Sequence, residues 1–499
     1  MAAASLSLLF VTLLFHSHSP ATAAAVPNRG ALEIIIGGET PSPPDYGDCP
    51  PPPPPPEPIC PPPANFHYPP PPQHPPPTPS PPPYPKPPPP PPTPKPSPPP
   101  PPPTPKRPPT PGFENERIAK AFKVIQRFRK KIKCDPQRIT DSWRGNDVCS
   151  YKGFRCAVRP DINTKAVAAA DFNGYGFGGD GDDLPLQGFL DELEDLTLFH
   201  ANSNNFTGKI PPNLGSKIKY FYEIDLSNNK FAGGFPHEIL DAHNASFIDL
   251  RYNRFSGRVP SRIFQQDLDV LFLNNNGFTG PLPETVGDTP ALYLTFANNR
   301  FSGQIPKSIG RCRSLLEVLF LNNQFSGCLP TEIGNLTQAR IFDAGDNKLT
   351  GPIPHSFACL ADIKDLNLAR NQLYGAIPES VCQLPKLANL SLSSNYFTQV
   401  GPACRDLIKK KVLDVRHNCI LDLPGQRSAA ECGMFFSNKH TCPNEKTLMS
   451  YVPCKGGSGG GKNSHQQSTT AAEAEELSTA PAPSPSSFTY HALRPHMLR

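Results

Sequence analysis

An asparagine that returns at a nearly constant interval between Leu196 and Ile420 constrains the fold more than any other feature of this 499-residue sequence. Apolar residues repeat around it in the pattern L-x-x-L-x-L-x-x-N-x-F/L-x-G-x-I/L-P. Successive asparagines in this register are 23 to 25 residues apart and lie at Asn204, Asn229, Asn253, Asn276, Asn299, Asn323, Asn347, Asn371, Asn395 and Asn418. Self-similarity over ten units predicts a solenoid, in which each unit buries its apolar face against the next.

The pattern inside each unit predicts a leucine-rich repeat solenoid. This is an α/β fold with a parallel sheet on the concave face and 3₁₀ turns on the convex face, and disulfide-bonded caps would close its ends. The leucine positions point inward and the asparagine bonds to neighbouring backbone, so we interpret both as structural. The P-x-x-I/L-G segments suit convex 3₁₀ turns. A ligand surface is therefore expected only at the variable residues around each short strand.

The variable positions combine acidic side chains with aromatic and apolar ones. Those predicted to line a peptide-binding concave face are Glu223, Asp225, Phe247, Asp249, Arg251, Phe272, Tyr293, Thr295, Glu317, Leu319, Leu321, Asp343, Asp346 and Asp365. Acids outnumber bases among them, and exposed aromatic and apolar residues are expected in the middle of the face. A plain solvated sheet is the alternative, but this combination favours a basic peptide or protein partner.

The two ends of the chain differ from the repeats in composition. Leu6 to Phe15 is an apolar run followed by small residues, as in a secretory signal peptide, and is shorter than the roughly 20 residues that cross a bilayer. We therefore predict a secreted, extracellular protein without a transmembrane anchor. The predicted segments are a signal peptide (1–25), a short linker (26–40), a proline-rich segment (41–111), an N-terminal helical cap (112–165), the repeats (166–418), a cysteine-rich C-terminal cap (419–454) and a disordered tail (455–499).

Glycosylation sequons and cysteines agree with secretion. The N-x-S/T sequons begin at Asn205, Asn244, Asn335 and Asn389. Asn389 is also predicted on the concave face, where a glycan would block one end of the groove. The 14 cysteines crowd the ends of the repeat array, as in a disulfide framework formed in an oxidising compartment. They lack the paired spacings of a zinc site, so no metal is expected.

The cysteines near the C-terminus suggest two groups of disulfides. Cys382 has two alternative partners, Cys359 and Cys404, because residues about one repeat apart stack at roughly 4.8 Å, a separation compatible with a disulfide. The sequence leaves that choice open. Four later cysteines are expected to close the C-terminal cap as two bonds: Cys419, Cys432, Cys442 and Cys454.

Proline dominates residues 41–111, with 44 prolines in 71 residues. Because proline fixes φ and lacks an N–H donor, this segment is expected to be extended polyproline II rather than helix or sheet. Ser80 is followed by three prolines and Ser97 by six. These blocks resemble the Ser-(Pro)n motifs of plant extensins, wall glycoproteins whose prolines are hydroxylated and glycosylated. A passive spacer is the alternative.

Residues 114–133 place apolar side chains at spacings of three and four, which predicts an amphipathic helix. The polar face of this helix is strongly basic, with Arg117, Lys120 and Arg127 among its residues. A solvated face and an attraction to acidic polymers are both compatible with this charge. Outside a plant cell the acidic polymer would be pectin. Nucleic acid is not expected as a partner of a secreted chain.

Several motifs in order resemble the leucine-rich repeat domain of plant leucine-rich repeat extensins. They include D-S-W-R-G-N-D-V-C-S-Y-K-G-F-R-C at Asp141 to Cys156, L-T-L-F-H-A-N-S-N-N-F-T-G from Leu196, and N-C-I-L-D-L-P-G-Q-R-S-A-A-E-C from Asn418. The similarity covers about residues 114–442 and implies an N-terminal cap containing Trp143 and a Cys149–Cys156 disulfide. In that family the extensin module follows the repeats. Here the proline block precedes them, which suggests a sister branch.

The resemblance also implies a function, because family members bind secreted, basic, cysteine-rich rapid alkalinisation factor peptides. We expect a cell-wall protein that binds such a peptide, links it to the wall matrix and modulates wall formation; a homodimer is one assembly that the sequence allows. A polygalacturonase-inhibitor-like protein and a purely structural wall glycoprotein are the alternatives. We find no catalytic or cofactor motif, such as H-E-x-x-H or G-x-S-x-G, and expect neither an enzyme nor a cofactor.

Overall fold

The computed structural model describes residues 112–438 apart from 182, 213 and 219, together with 442, 443, 445–448 and 454. The predicted signal peptide, linker, proline-rich segment and tail lie outside the described residues. So does most of the chain between 439 and 454. The segment boundaries proposed from the sequence remain predictions.

Two sheets run along the repeats. The strands are β1 Phe154–Arg159, β2 Thr164–Asp171, β3 Leu198–His200, β4 Thr207–Gly208, β5 Glu223–Asp225, β6 Lys230–Gly233, β7 Phe247–Asp249, β8 Arg254–Gly257, β9 Val270–Phe272, β10 Gly277–Gly280, β11 Tyr293–Thr295, β12 Arg300–Gly303, β13 Glu317–Leu319, β14 Gln324–Cys328, β15 Ile341–Asp343, β16 Lys348–Gly351, β17 Asp365–Asn367, β18 Gln372–Ala376, β19 Asn389–Ser391, β20 Tyr396–Gln399 and β21 Leu413–Asp414. The first sheet contains β1, β2 and then every odd-numbered strand from β3 to β21. Its strands are parallel except for the antiparallel pair β1 and β2. The even-numbered strands from β4 to β20 form the second sheet.

Helices cover the rest of each repeat and both ends. The α-helices are α1 Glu116–Lys131, α2 Leu214–Lys217, α3 Glu379–Cys382, α4 Pro402–Lys409, α5 Ala429–Ser437 and α6 Glu445–Leu448. The 3₁₀ helices are Ile139–Ser142, Val148–Ser150, Leu190–Glu192, His237–Asp241, Ser261–Gln265, Glu284–Asp288, Lys307–Arg311, Thr331–Asn335 and His355–Cys359. The last six of these each follow a proline, whose fixed φ suits the entry to a helical turn. In the described part of the chain, no helix is both long and apolar enough to cross a bilayer.

The repeated asparagine and phenylalanine explain why the units stack. The side chain of Asn395 donates to the carbonyls of Leu368 and Leu392 at 2.9 and 3.2 Å and accepts from the Leu373 N–H at 3.0 Å. It thus satisfies backbone groups of two neighbouring repeats, as a buried amide must. One phenylalanine per repeat stacks on the next at 6.1–6.3 Å from Phe206 to Phe325. The leucine-rich repeat solenoid predicted from the sequence is confirmed.

The N-terminal cap closes the first repeat. Trp143 is fully buried and donates its indole N–H to the Lys152 carbonyl at 2.9 Å. A disulfide joins Cys149 and Cys156, whose Cα atoms are 5.4 Å apart. These residues cover the apolar edge that an open solenoid would expose.

The basic face of α1 is partly used inside the molecule. Arg117 pairs with Asp195 at 2.6 Å, Lys120 pairs with Glu194 at 2.8 Å, and Arg127 contacts the Glu192 carboxylate. The Lys120 and Arg127 pairs are largely solvent-accessible and each adds little stability, whereas Asp195 is mostly covered; together the three pairs orient the helix on the first repeat. The charge available for an acidic polymer is correspondingly smaller than the sequence suggested.

Two C-terminal disulfides connect cysteines that are close in the sequence. Cys382 bonds to Cys404, with a Cα separation of 5.1 Å, so the structure selects this partner over Cys359. Cys419 bonds to Cys432 at a Cα separation of 6.0 Å and ties the chain before α5 to that helix.

The expectation that the last four cysteines pair among themselves is wrong for Cys442 and Cys454. Cys442 bonds to Cys328 at the end of β14, and Cys454 bonds to Cys359. These bonds span 114 and 95 residues, because Cys442 and Cys454 lie against repeats that precede the cap. Sequence spacing cannot reveal such a placement.

Candidate functional site

The register of the first sheet arranges the outward-facing strand residues in two rows. The first position of each three-residue strand forms the first row: Leu198, Glu223, Phe247, Val270, Tyr293, Glu317, Ile341, Asp365 and Asn389. The third position forms the second row: His200, Asp225, Asp249, Phe272, Thr295, Leu319, Asp343, Asn367 and Ser391. In leucine-rich repeats these strands line the concave side. Eleven of the fourteen residues predicted for this face therefore lie in the two rows.

The three remaining predicted residues lie outside the rows. Arg251 and Leu321 follow β7 and β13 by two residues, and both are partly buried. The prediction that Asp346 lines the concave face is wrong. It stands in the turn after β15 with φ of 53° and pairs loosely with Arg370 at 3.7 Å. Its position matches the asparagines at the same turn in other repeats, where a short polar side chain tolerates left-handed backbone.

The second row is buried from His200 to Asp343 and half-buried at Asn367 and Ser391, whereas exposed side chains were expected in the middle of the face. Phe272 and Leu319 are 8% and 1% exposed, and Asp249 is fully buried. In the first row, Glu317 is buried as well, while Phe247, Tyr293 and Asp365 are half-buried. Parallel strands lie about 4.8 Å apart, so side chains in register cover one another. The carboxylates of this face therefore lie in a less polar environment than an exposed strand would provide.

Two acids in the N-terminal part of the face, Glu223 and Asp249, have a basic partner on the protein. His200 Nε2 lies 3.2 Å from Glu223 Oε2. Burial alone would lower the pKa of His200, but the hydrogen bond to Glu223 and the charge of Asp225 outweigh it and raise the pKa. His200 is not among the residues predicted for this face, although the repeat pattern that begins at Leu196 places it at a strand position.

Arg251 neutralises the next acid along the face. Its guanidinium contacts both carboxylate oxygens of Asp249 at 2.6–3.0 Å and lies over the Phe272 ring at 4.5 Å. Burial still raises the pKa of Asp249 to about 6, against the opposing charge of Arg251. The pair resembles the bidentate geometry that arginine forms with carboxylates.

The C-terminal part of the face contains an acidic cluster, Glu317, Asp343 and Asp365, whose carboxylates form no ion pair with any described residue, although the charges of Arg251 and Lys364 act on it at longer range. Burial raises the pKa of Glu317 to about 7 and that of Asp343 to about 6. Burial also raises the pKa of Asp365. Among the described residues, the Glu317 carboxylate forms no hydrogen bond or ion pair, and Asp343 Oδ2 is buried without a hydrogen-bond partner. Asp343 Oδ1 accepts from the Gly345 N–H at 2.9 Å.

Aromatic side chains border the acidic cluster on its N-terminal side. Tyr293 lies opposite Glu317 on the neighbouring strand, and both burial and the Glu317 charge raise the pKa of its phenol. Phe247 contacts Phe272 with ring centroids 6.2 Å apart. Within the described ranges, no group of three or more His, Cys, Asp or Glu residues is arranged to hold a metal ion. This part of the face therefore combines carboxylates with aromatic side chains.

The predicted glycosylation sites occupy different surfaces. Asn244 and Asn335 are exposed beside the 3₁₀ helices, and Asn205 is half-buried. Asn389 is exposed in the first row, one strand beyond Asp365, and its side-chain hydrogen bond to Asp365 partly opposes the rise in pKa that burial causes there. Occupancy of all four sequons stays a prediction.

The fold and this face define a leucine-rich repeat protein with an acidic concave surface. Known proteins with similar sequences identify its relatives. The chain is 40% identical over 164 residues to leucine-rich repeat extensin-like protein 1 of Arabidopsis thaliana, and this match covers 33% of the chain and 21% of the relative. It is 41% identical over 168 residues to leucine-rich repeat extensin-like protein 4 of the same plant, covering 33% and 32%. No family model matches.

These relatives confirm the resemblance to leucine-rich repeat extensins. The chain spans about a fifth to a third of their length, so their activities and partners come to it only as proposals. Their names describe extensin-like proteins and not enzymes, and the absence of enzymatic activity stays a prediction.

Solved structures show a weaker likeness. The leucine-rich repeat ectodomain of the receptor kinase GASSHO1/SCHENGEN3 from Arabidopsis thaliana, solved with CASPARIAN STRIP INTEGRITY FACTOR 2, is 23% identical with a TM-score of 0.49. The match covers 56% of this chain and 36% of the receptor chain. A plant ice-binding protein is 20% identical with the same TM-score, covering 62% and 98%. At these values neither likeness carries an argument about function.

Proposed function

We propose that this chain is a secreted, wall-associated leucine-rich repeat protein whose concave face captures a basic signalling peptide of the rapid alkalinisation factor type. Through its proline-rich segment it would hold that peptide in the wall matrix and so modulate wall formation. One observation carries the proposal. The acidic cluster Glu317, Asp343 and Asp365 is largely buried on the concave face, and among the described residues no cation forms an ion pair with it.

The surroundings of the cluster support a peptide rather than a simple ion. Tyr293 and Phe247 are half-buried aromatic side chains of the same row and can anchor a partner while excluding water. Carboxylates in a partly desolvated setting attract a basic partner more strongly than exposed ones. The likeness to extensin-like proteins supports the wall association, and the basic residues of α1 that remain unpaired in the described structure could add a contact to pectin.

A binding titration tests the proposal. The secreted full-length chain would be titrated calorimetrically with rapid alkalinisation factor peptides, beside an Asp365→Lys variant. Asp365 is half-buried at the edge of the cluster, so lysine can be accommodated there while it reverses the charge. We expect Asp365→Lys to weaken binding at least about tenfold.

Asp267→Lys provides the matched control, because Asp267 is an exposed acid in the connection before β9. Its affinity should remain within about twofold of the parent chain. Absence of binding to the parent chain, or equal losses in the two variants, would overturn the proposal. Matching thermal unfolding of all three proteins shows that the fold is preserved.

A further inference from the structure

The concave face contains two acidic positions with similar surroundings, and only one of them is neutralised internally. At the first, Asp249 in the second row is followed on the next strand by Phe272. Arg251 fills the space beside both, with a two-oxygen contact to the carboxylate and a stack on the ring. The protein therefore shows how a guanidinium binds on this face.

The second position lies further along the sheet. Tyr293 in the first row is followed on the next strand by Glu317, so an aromatic ring again flanks a buried carboxylate. Asp343 lies on the strand after Glu317, in the adjacent row. Glu317 is 6% exposed and Asp343 is 1% exposed.

The carboxylates at this second position have few partners on the protein. In the described part of the chain, Asp343 Oδ2 is buried without a hydrogen-bond partner, and the Glu317 carboxylate has neither a hydrogen bond nor an ion pair. A buried carboxylate without a counter-charge in contact is costly, and buried polar atoms in native proteins normally have partners. Glu223 and Asp249 have theirs in His200 and Arg251. Among the described residues no cation contacts the second position, and Arg251 acts on Glu317 only through its charge at longer range.

We propose that Glu317, Asp343 and Tyr293 form a subsite for one arginine side chain of the bound peptide, which supplies the guanidinium that Arg251 supplies at Asp249. This rests on the proposed function for the identity of the peptide, but not for the chemistry of the subsite. Arginine fits better than lysine, because its planar fork can reach two acceptors and stack on an aromatic ring. The ligand's arginine removes a desolvation cost that the unbound protein carries.

Protonation adds a second readout. Three acids lie at or beside the subsite: Glu317, Asp343 and Asp365. The charge of Arg251 acts on Glu317, and that of Arg340 acts on the phenol of Tyr293. Burial raises the pKa of Glu317 and Asp343, so a bound cation displaces protons from them. Near pH 6.5, arginine binding should release protons, which calorimetry detects as a dependence of the measured heat on the buffer's ionisation enthalpy.

The decisive probe is an acetylated, amidated Gly-Arg-Gly peptide, compared with the same peptide carrying citrulline. Citrulline keeps the shape of arginine without its charge. Saturation-transfer difference NMR on the full-length chain, with peptide up to about 10 mM, should detect binding of the arginine peptide. The citrulline peptide should bind at least about tenfold more weakly. Equal binding of the two, or no binding of the arginine peptide, overturns the subsite.

Two neutral variants locate the binding. Glu317→Gln and Asp343→Asn keep side-chain volume and remove buried charge, so neither should unfold the protein. Each should weaken arginine-peptide binding at least about tenfold and reduce the proton release, while Asp267→Asn, at an exposed acid in the connection before β9, stays within about twofold. Losses as large in Asp267→Asn, or none in the first two variants, refute the assignment.

The two proposals fail in different ways. If the signalling peptide binds but Glu317→Gln and Asp343→Asn bind it as well as the parent chain, the subsite is wrong and the proposed function stands. If the arginine tripeptide binds as described and no signalling peptide does, the subsite stands and the proposed function is wrong.

Discussion

Replacement of Glu317 by glutamine tests the electrostatics of the concave face without any ligand. Burial raises the pKa of Glu317 from 4.5 to about 7. Since one pKa unit corresponds to about 1.4 kcal/mol, the charged form costs the folded state about 3 kcal/mol relative to the unfolded chain. At pH 8 the carboxyl is ionised in both states and the full cost applies. At pH 4 both states hold the proton, and the cost almost disappears.

Glu317→Gln should therefore raise the free energy of unfolding by about 3 kcal/mol at pH 8 and change it little at pH 4. The gain should develop between about pH 4.5 and about pH 7, because the unfolded chain ionises at the lower pH and the folded protein at the higher one. Urea unfolding followed by circular dichroism, with the disulfides intact, measures it at both pH values.

Asp414→Asn is a control of opposite sign. A hydrogen bond from Arg416 holds the pKa of Asp414 below its ordinary value, so this carboxylate stabilises the folded state above the unfolded pKa. Its replacement should lower stability at pH 8. A Glu317→Gln variant that is destabilised at pH 8, or that gains as much at pH 4 as at pH 8, would refute the electrostatic reasoning.

Three further predictions concern the scaffold. Asn395→Ala should cost about 3 kcal/mol or more in urea unfolding, because the buried amide bonds backbone groups of two repeats. Non-reducing peptide mapping should find Cys442 and Cys454 in separate disulfides; a peptide containing a Cys442–Cys454 bond would contradict the fold of the C-terminal cap. Gly351→Ala should lower the melting temperature more than Gly257→Ala. Both positions have positive φ, but an added Cβ at 351 would collide with Cys442 Sγ, whereas one at 257 would meet no atom within 4 Å. Equal losses would show that backbone strain alone is responsible.

The positions of the acidic residues follow from the sequence, but their partners do not. The spacing of the asparagines was sufficient to place Asp249 and Glu317 on the concave face, because the repeat period determines which residues of each strand point outward. The spacing did not show that Arg251 pairs with Asp249, or that the Glu317 carboxylate forms no ion pair with any described residue. That difference arises because Arg251 reaches back to Asp249 and across to Phe272, a side-chain arrangement that depends on the packing of neighbouring strands.

The chain by itself determined the solenoid, its strands and turns and the resemblance to leucine-rich repeat extensins, because all of these follow from a local pattern repeated along the sequence. Only the tertiary structure decided which charges remain uncompensated, which basic residues of α1 are held by the first repeat, and that Cys442 joins Cys328. These outcomes depend on contacts between segments that lie far apart in sequence, and no local pattern encodes them. The concave face is therefore predictable as a surface, while its electrostatic character comes from the folded arrangement.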